Sequence, residues 1–157
     1  MKLPQIRLLI LDVDGVLTDG RLYFSADGEA LKVFHVRDGH GIKALLSAGI
    51  EVAIISGRRS AALERRAHEL GIRHLRQGID DKGIALNALL KELGIDAAHA
   101  ACLVDDTPDL PMMALVGLPV AVADAHPKVL AAATLITQLP GGAGAVRELA
   151  DRILGEA

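Results

Sequence analysis

The chain is nearly without aromatic residues: Tyr23, Phe24 and Phe34 make up 2% of its 157 positions, and there is no Trp. That poverty argues against stacking platforms for sugars or single-stranded nucleic acid. Excess charge is missing as well. The net charge is −3 and the basic residues do not cluster in one run, so there is no electrostatic footprint for DNA or RNA. Cys102 is the single cysteine, which excludes an intrachain disulfide and makes a reducing cytoplasm the expected compartment. Its place in the apolar run AACLV marks a small core residue rather than a nucleophile. No stretch reaches the roughly 18 apolar residues of a membrane span. The apolar start MKLPQIRLLILDVD ends in carboxylates instead of a small-residue cleavage site. A soluble protein with no membrane partner is the expectation.

What is abundant is aliphatic: hydrophobic residues form 51% of the chain. They fall into apolar strand-like runs that alternate with helical patterns, the signature of βαβ units and a parallel sheet flanked by helices. Strands are expected near Arg7–Leu11, Val52–Ile55, Arg73–Leu75, Ala101–Val104, Pro119–Val122 and Thr134–Ile136. Helices are expected near Gly39–Ala48, Ser60–Leu70, Lys82–Leu93, after Pro127, and over Ala145–Leu154. Arg21–Phe24 and Ala30–Val36 flank Asp27-Gly28 and read as a β-hairpin, an insertion that the alternation does not require. No repeat or linker interrupts residues 1–157, so one α/β domain is expected.

Ligands of an open parallel sheet bind beyond the carboxyl ends of its strands. Three strands here end in suitable residues: Asp12-Val13-Asp14-Gly15, Ser56-Gly57-Arg58 and Asp105-Asp106-Thr107-Pro108-Asp109. Lys82 opens a helix after the third strand. Any one of these alone is ordinary: Asp at a strand end caps turns, Ser before Gly makes a turn, and a lone Lys is solvated. Taken together they are not ordinary. Five carboxylates converging on one crevice repel unless a hard cation sits among them, and Mg²⁺ takes such oxygen ligands. A hydroxyl, backbone N–H groups and a fixed ammonium would cradle a phosphate.

These features resemble the haloacid dehalogenase-like (HAD) phosphohydrolase superfamily, whose four motifs can be placed in order on DVDGV, the Ser of IISGR, the Lys of DDK, and DDTPD. The resemblance implies a Rossmann-like fold and a Mg²⁺-dependent phosphatase with Asp12 as nucleophile. Asp14 would protonate the leaving alcohol and then activate water. Asp12, the main-chain carbonyl of Asp14, and Asp105 would hold the metal, with Asp106 and Asp109 supporting it and Lys82. Ser56, Gly57, Arg58 and Lys82 would bind the substrate phosphate. The stretches DVDGVLTDG, FHVRDGHGI, ISGRRS, RHLRQGIDDK and PGGAGAVREL extend the resemblance from Leu8 to Leu154. They point to the cap-less group that acts on phosphorylated sugar acids.

Members of that group are homotetramers in which the hairpin and C-terminal tail of one subunit help close a neighbour's site. The hairpin Asp19–Val36 and a tail from Gly141, with Arg147 as a substrate contact, fit that arrangement. Arg37, Arg58 and Arg59 are candidates for a substrate carboxylate. In one respect the chain departs from the group: Val104 stands where the fourth motif usually has Gly, which would narrow the phosphate pocket or silence the scaffold. Outside the superfamily, a phospho-receiver domain also gathers acidic residues, Ser/Thr and Lys around a parallel sheet. Its nucleophile, however, lies on a middle strand, and Asp14 has no counterpart there.

Overall fold

The computed structural model describes residues 3–156. Strands β1 (Leu8–Leu11), β4 (Glu51–Ile55), β5 (His74–Arg76), β6 (Ala100–Val104), β7 (Leu118–Ala121) and β8 (Leu135–Ile136) form one parallel sheet in the order β5-β4-β1-β6-β7-β8. β1 and β6 are buried along their whole length, as strands covered by helices on both faces must be. The first three strands of this sheet, β1, β4 and β5, run outward from β1 to one edge. The chain then crosses back to β6 and runs to the other. The order therefore reverses between β1 and β6, which is where an open α/β sheet binds its ligand.

Helices α1 (Val36–Ser47), α2 (Ala61–Leu70) and α6 (Ala145–Leu154) pack together. A second group comprises α3 (Lys82–Leu93), α4 (Leu110–Met113) and α5 (Pro127–Ala132). Local chemistry sets their ends. Ser60 Oγ accepts from Leu63 N at 3.3 Å and Asp81 Oδ1 from Ile84 N at 3.0 Å, so α2 and α3 start where a polar side chain meets orphan N–H groups. The starts and ends of α3 and α6 agree with the sequence pattern.

Two sequence expectations fail locally. The hairpin is shorter than expected, β2 covering Tyr23–Ser25 and β3 Gly28–Leu31, and α1 begins at Val36 rather than Gly39. The reason is an unusual cap: His35 Nδ1 accepts from Arg37 N at 3.1 Å, so the chain turns helical while the pattern still reads as strand. The segment from Gly141, expected to reach a neighbouring site, folds onto its own chain. Gly142 N donates to Val16 O at 2.9 Å and Gly141 N to Asp124 Oδ1 at 3.0 Å. A Cβ on Gly141 would overlap the carbonyl of Gly15, so only glycine permits this approach.

α6 is held from another helix. Asp38, in the first turn of α1 and 1% exposed, accepts from Arg147 N at 3.0 Å and so caps α6 across 109 residues of sequence. Arg147 itself is committed, its Nε bonded to Asp151 at 2.7 Å. Arg147 does not line the crevice of its own chain.

Candidate active site

The loops after β1, β4 and β6 enclose a crevice of about 290 Å³. Asp12, Asp14, Ser56, Gly57, Arg58, Lys82, Asp105, Asp106 and Asp109 line it. The strand-end residues and Lys82 expected in the site therefore meet in one place. Arg37 and Arg59 do not line the crevice. Arg37 is exposed on α1, and Arg59 packs across Gly78.

Asp12 follows β1 directly and is nearly buried. Lys82 reaches it from the first position of α3, with Nζ 3.0 Å from Asp12 Oδ1 and 2.6 Å from Asp109 Oδ1. An ammonium at a helix N-terminus opposes the helix dipole, and burial would pull its pKa down. The Asp12 and Asp109 carboxylates outweigh both and raise it, so Lys82 stays charged. Asp109 spends its second oxygen on the backbone N–H groups of Asp105 and Asp106, at 3.4 and 3.3 Å. It is thus a brace for Lys82 and for the β6 loop.

Oxygens of Asp12, Asp105 and Asp109 all lie within 4.8 Å of one another. This crowding has consequences for protonation. Burial, then Asp12, pushes Asp105 up to about 8, and burial, then Asp12, lifts Asp109 to about 6 against the pull of Lys82. Asp105 Oδ1 is buried without any partner. A buried carboxylate oxygen left unpaired beside a second carboxylate is a donor set suited to a hard divalent cation. With both Asp109 oxygens already used, Asp12 and Asp105 are the side chains free to hold one.

Two features explain the local sequence. Gly15 has φ of +90°, and a Cβ there would strike the Asp105 carboxylate, so the first and fourth motifs meet only through glycine. Val104 is the last residue of β6, fully buried and paired with Ala121, and does not line the crevice. The pocket narrowing expected from it does not occur.

Sequence reasoning missed Glu29 and Lys32. Lys32 Nζ lies 2.7 Å from Asp14 Oδ1 and 3.0 Å from Glu29 Oε2, with its side chain only 4% exposed. Glu29 also accepts from Ser60 Oγ at 2.7 Å and faces Arg58 Nη2 at 3.4 Å. No strand end signals either residue. The one available hint is that Glu29 and Lys32 are of opposite sign and three residues apart. Cys102 is buried, with its thiol pushed up to about 12 by that burial, as a core residue's should be.

Comparison with known proteins agrees with this geometry. Residues 75–147 match the haloacid dehalogenase-like hydrolase family. The chain is 54% identical to the 3-deoxy-D-manno-octulosonate 8-phosphate phosphatase of Yersinia pestis over 149 residues, covering 95% of this chain and 80% of that protein. The cobalt-bound deoxy-D-mannose-octulosonate 8-phosphate phosphatase of Haemophilus influenzae superposes with a TM-score of 0.95 at 47% identity, over 97% of this chain and 89% of that one. The Moraxella catarrhalis 3-deoxy-D-manno-octulosonate 8-phosphate phosphatase, solved with a magnesium ion, a phosphate ion and KDO, gives 0.93 at 45% identity, over 97% and 87%. The fold and site define a haloacid dehalogenase-like hydrolase, and within that class the chain belongs to the 3-deoxy-D-manno-octulosonate 8-phosphate phosphatase family. It is a phosphatase, and the receiver-domain alternative falls.

Proposed function

We propose that the chain hydrolyses 3-deoxy-D-manno-octulosonate 8-phosphate in lipopolysaccharide biosynthesis, with Mg²⁺ and by way of a phosphorylated Asp12. The observation that carries the mechanism is the Asp12 carboxylate at the end of β1, 3.0 Å from the buried Lys82 ammonium. Asp12 attacks phosphorus and the bond to the sugar oxygen breaks, Asp14 delivering a proton to that oxygen. Water then attacks the aspartyl phosphate, gives its proton to Asp14, and frees Asp12 and inorganic phosphate. Ser56 Oγ, the N–H groups of Gly57 and Arg58, and Lys82 bind the phosphoryl oxygens, where positioning and electrostatics supply most of the rate.

Asp12, Asp105 and the main-chain carbonyl of Asp14 would hold Mg²⁺, which neutralises charge between nucleophile and phosphate. Asp106 and Asp109 support that arrangement. The unpartnered Asp105 Oδ1 favours a cation here. The relatives' names and the magnesium of the Moraxella structure favour this substrate and this ion.

The working unit in this reading is a cytoplasmic homotetramer of single-domain subunits, the hairpin serving in place of a cap. No helix of the described residues is long and apolar enough to cross a membrane. Leu22, Phe24, Leu31, Val33 and Val36 are exposed on and beside the hairpin, more apolar surface than a small ribbon carries unpartnered.

Phosphate release from a panel of sugar-acid phosphates, with Mg²⁺ and after chelation, tests the reading. The 8-phosphate is expected to be turned over fastest and only with metal. Asp12→Asn is expected to lose at least about 10³-fold in kcat while keeping its fold. Near-normal turnover by a folded Asp12→Asn protein, or full activity after exhaustive chelation, would remove it.

A further inference from the structure

In the proposed reaction Asp14 moves the proton twice, yet among the described residues its side chain accepts a hydrogen bond from one donor only. That donor is Lys32 Nζ, 2.7 Å from Oδ1, whereas Arg58 Nε stands 3.9 Å from Oδ2. Lys32 lies just beyond β3, outside the six-stranded sheet whose strand ends carry Asp12, Ser56 and Asp105. Its ammonium is fixed from the far side by Glu29 Oε2 at 3.0 Å, and Glu29 is fixed by Ser60 Oγ at 2.7 Å. A chain of contacts therefore runs from the N-cap of α2, through the hairpin, to Asp14.

A partly buried ion pair is weak evidence for stability, because desolvation offsets the attraction. What this one supplies is direction. An aspartate side chain rotates freely about its torsions unless something holds it, and proton transfer requires heavy atoms about 2.6–3.2 Å apart. We propose that Lys32, seated by Glu29, is a positioning residue that aims Asp14 at the leaving oxygen and then at the attacking water. The inference rests on the reading of Asp12 as nucleophile and Asp14 as acid and base. The hairpin thus takes part in the chemistry of its own subunit.

The two half-reactions make this testable with Lys32→Met, which leaves Asp12, Lys82 and Ser56 in place. Transfer of the phosphoryl group to Asp12 from p-nitrophenyl phosphate needs no proton for its leaving group, so it should persist. Hydrolysis of the aspartyl phosphate needs an aimed base, so it should slow. Rapid mixing of the Mg²⁺-loaded protein with p-nitrophenyl phosphate is expected to give a burst approaching one nitrophenolate per active site, followed by slow release. The unsubstituted protein should show a smaller burst. With a sugar-acid phosphate, kcat should fall about 10- to 100-fold with little change in KM and no burst. Lys32→Arg is expected to restore most of the turnover, and Glu29→Gln to fall between the two. Should Lys32→Met fail to fold, the same burst measured on Glu29→Gln decides. Equal losses on both phosphates without a burst, or turnover like that of the unsubstituted protein, would overturn the proposal. An active Asp12→Asn protein would instead strike the underlying mechanism.

Discussion

Lys82 sits closer to Asp109, at 2.6 Å, than to Asp12, at 3.0 Å. The lysine is therefore held in place by a residue that does not react, and shared with one that does. Asp109 is 1% exposed, so Asp109→Ala leaves a buried ammonium with half its partners and two backbone N–H groups with none. We expect a stability loss of roughly 3 kcal/mol and a large drop in kcat. Asp109→Asn keeps an acceptor and should recover most of the stability but little of the activity. Urea melts beside steady-state kinetics check this; equal recovery of both would assign Asp109 a purely structural role.

The crowded carboxylates give the metal-free protein a particular pH dependence. Asp105, pushed up to about 8 by burial and by Asp12, holds a proton in the fold that the unfolded chain releases near pH 4. The folded state thus binds more protons across that window, and its stability falls as pH rises from about 4 to about 8. Asp109, lifted to about 6 by the same causes, acts in the same sense over the lower part. Mg²⁺ binds the deprotonated carboxylates, so its stabilisation should be larger at about pH 8 than at about pH 6. Thermal melts with and without Mg²⁺ at both pH values measure it. An equal shift at both would contradict it.

Gly141 is a stricter position than its loop suggests. Because a Cβ would overlap the Gly15 carbonyl, Gly141→Ala must push the loop that carries Asp12 and Asp14. Overpacking of this kind costs about 1–3 kcal/mol, and we expect kcat to fall with it. An alanine variant with unchanged melting temperature and kcat would show that the loops are not coupled.

The exposed apolar surface predicts a loss of assembly on charging it. Leu22 and Val36 are 48% and 79% exposed. The double substitution Leu22→Glu, Val36→Glu should turn a sedimenting oligomer into monomers that keep native circular dichroism. Activity should fall with dissociation. A fully active monomer would sink the oligomeric reading.

Strand ends were the legible part of this site. Asp12, Ser56 and Asp105 each follow a continuous apolar run, and Lys82 opens a helix whose limits the apolar spacing reveals, so their convergence could be read from alternation alone. Lys32 and Glu29 could not be read that way. They depend on how a hairpin folds back over the sheet, a tertiary choice that no periodicity encodes. The Asp38 cap was hidden for a related reason: it serves a helix 109 residues away, whereas sequence reading looks for caps beside the helix they serve. His35 shows the converse, a local cap of a residue type not among the preferred ones.

The bond from Arg147 N to Asp38, with that of Gly142 N to Val16 O, also dictates an order of events. During synthesis the β1 loop leaves the ribosome long before residues 141–147 exist. Until they emerge, Asp12 and Asp14 ride on a loop without its brace, and α1 faces solvent where α6 will lie. Domains tend to fold from the N-terminus as the chain is made. Here the loop that carries the reactive pair gains its brace only after residues 141–147 have been made.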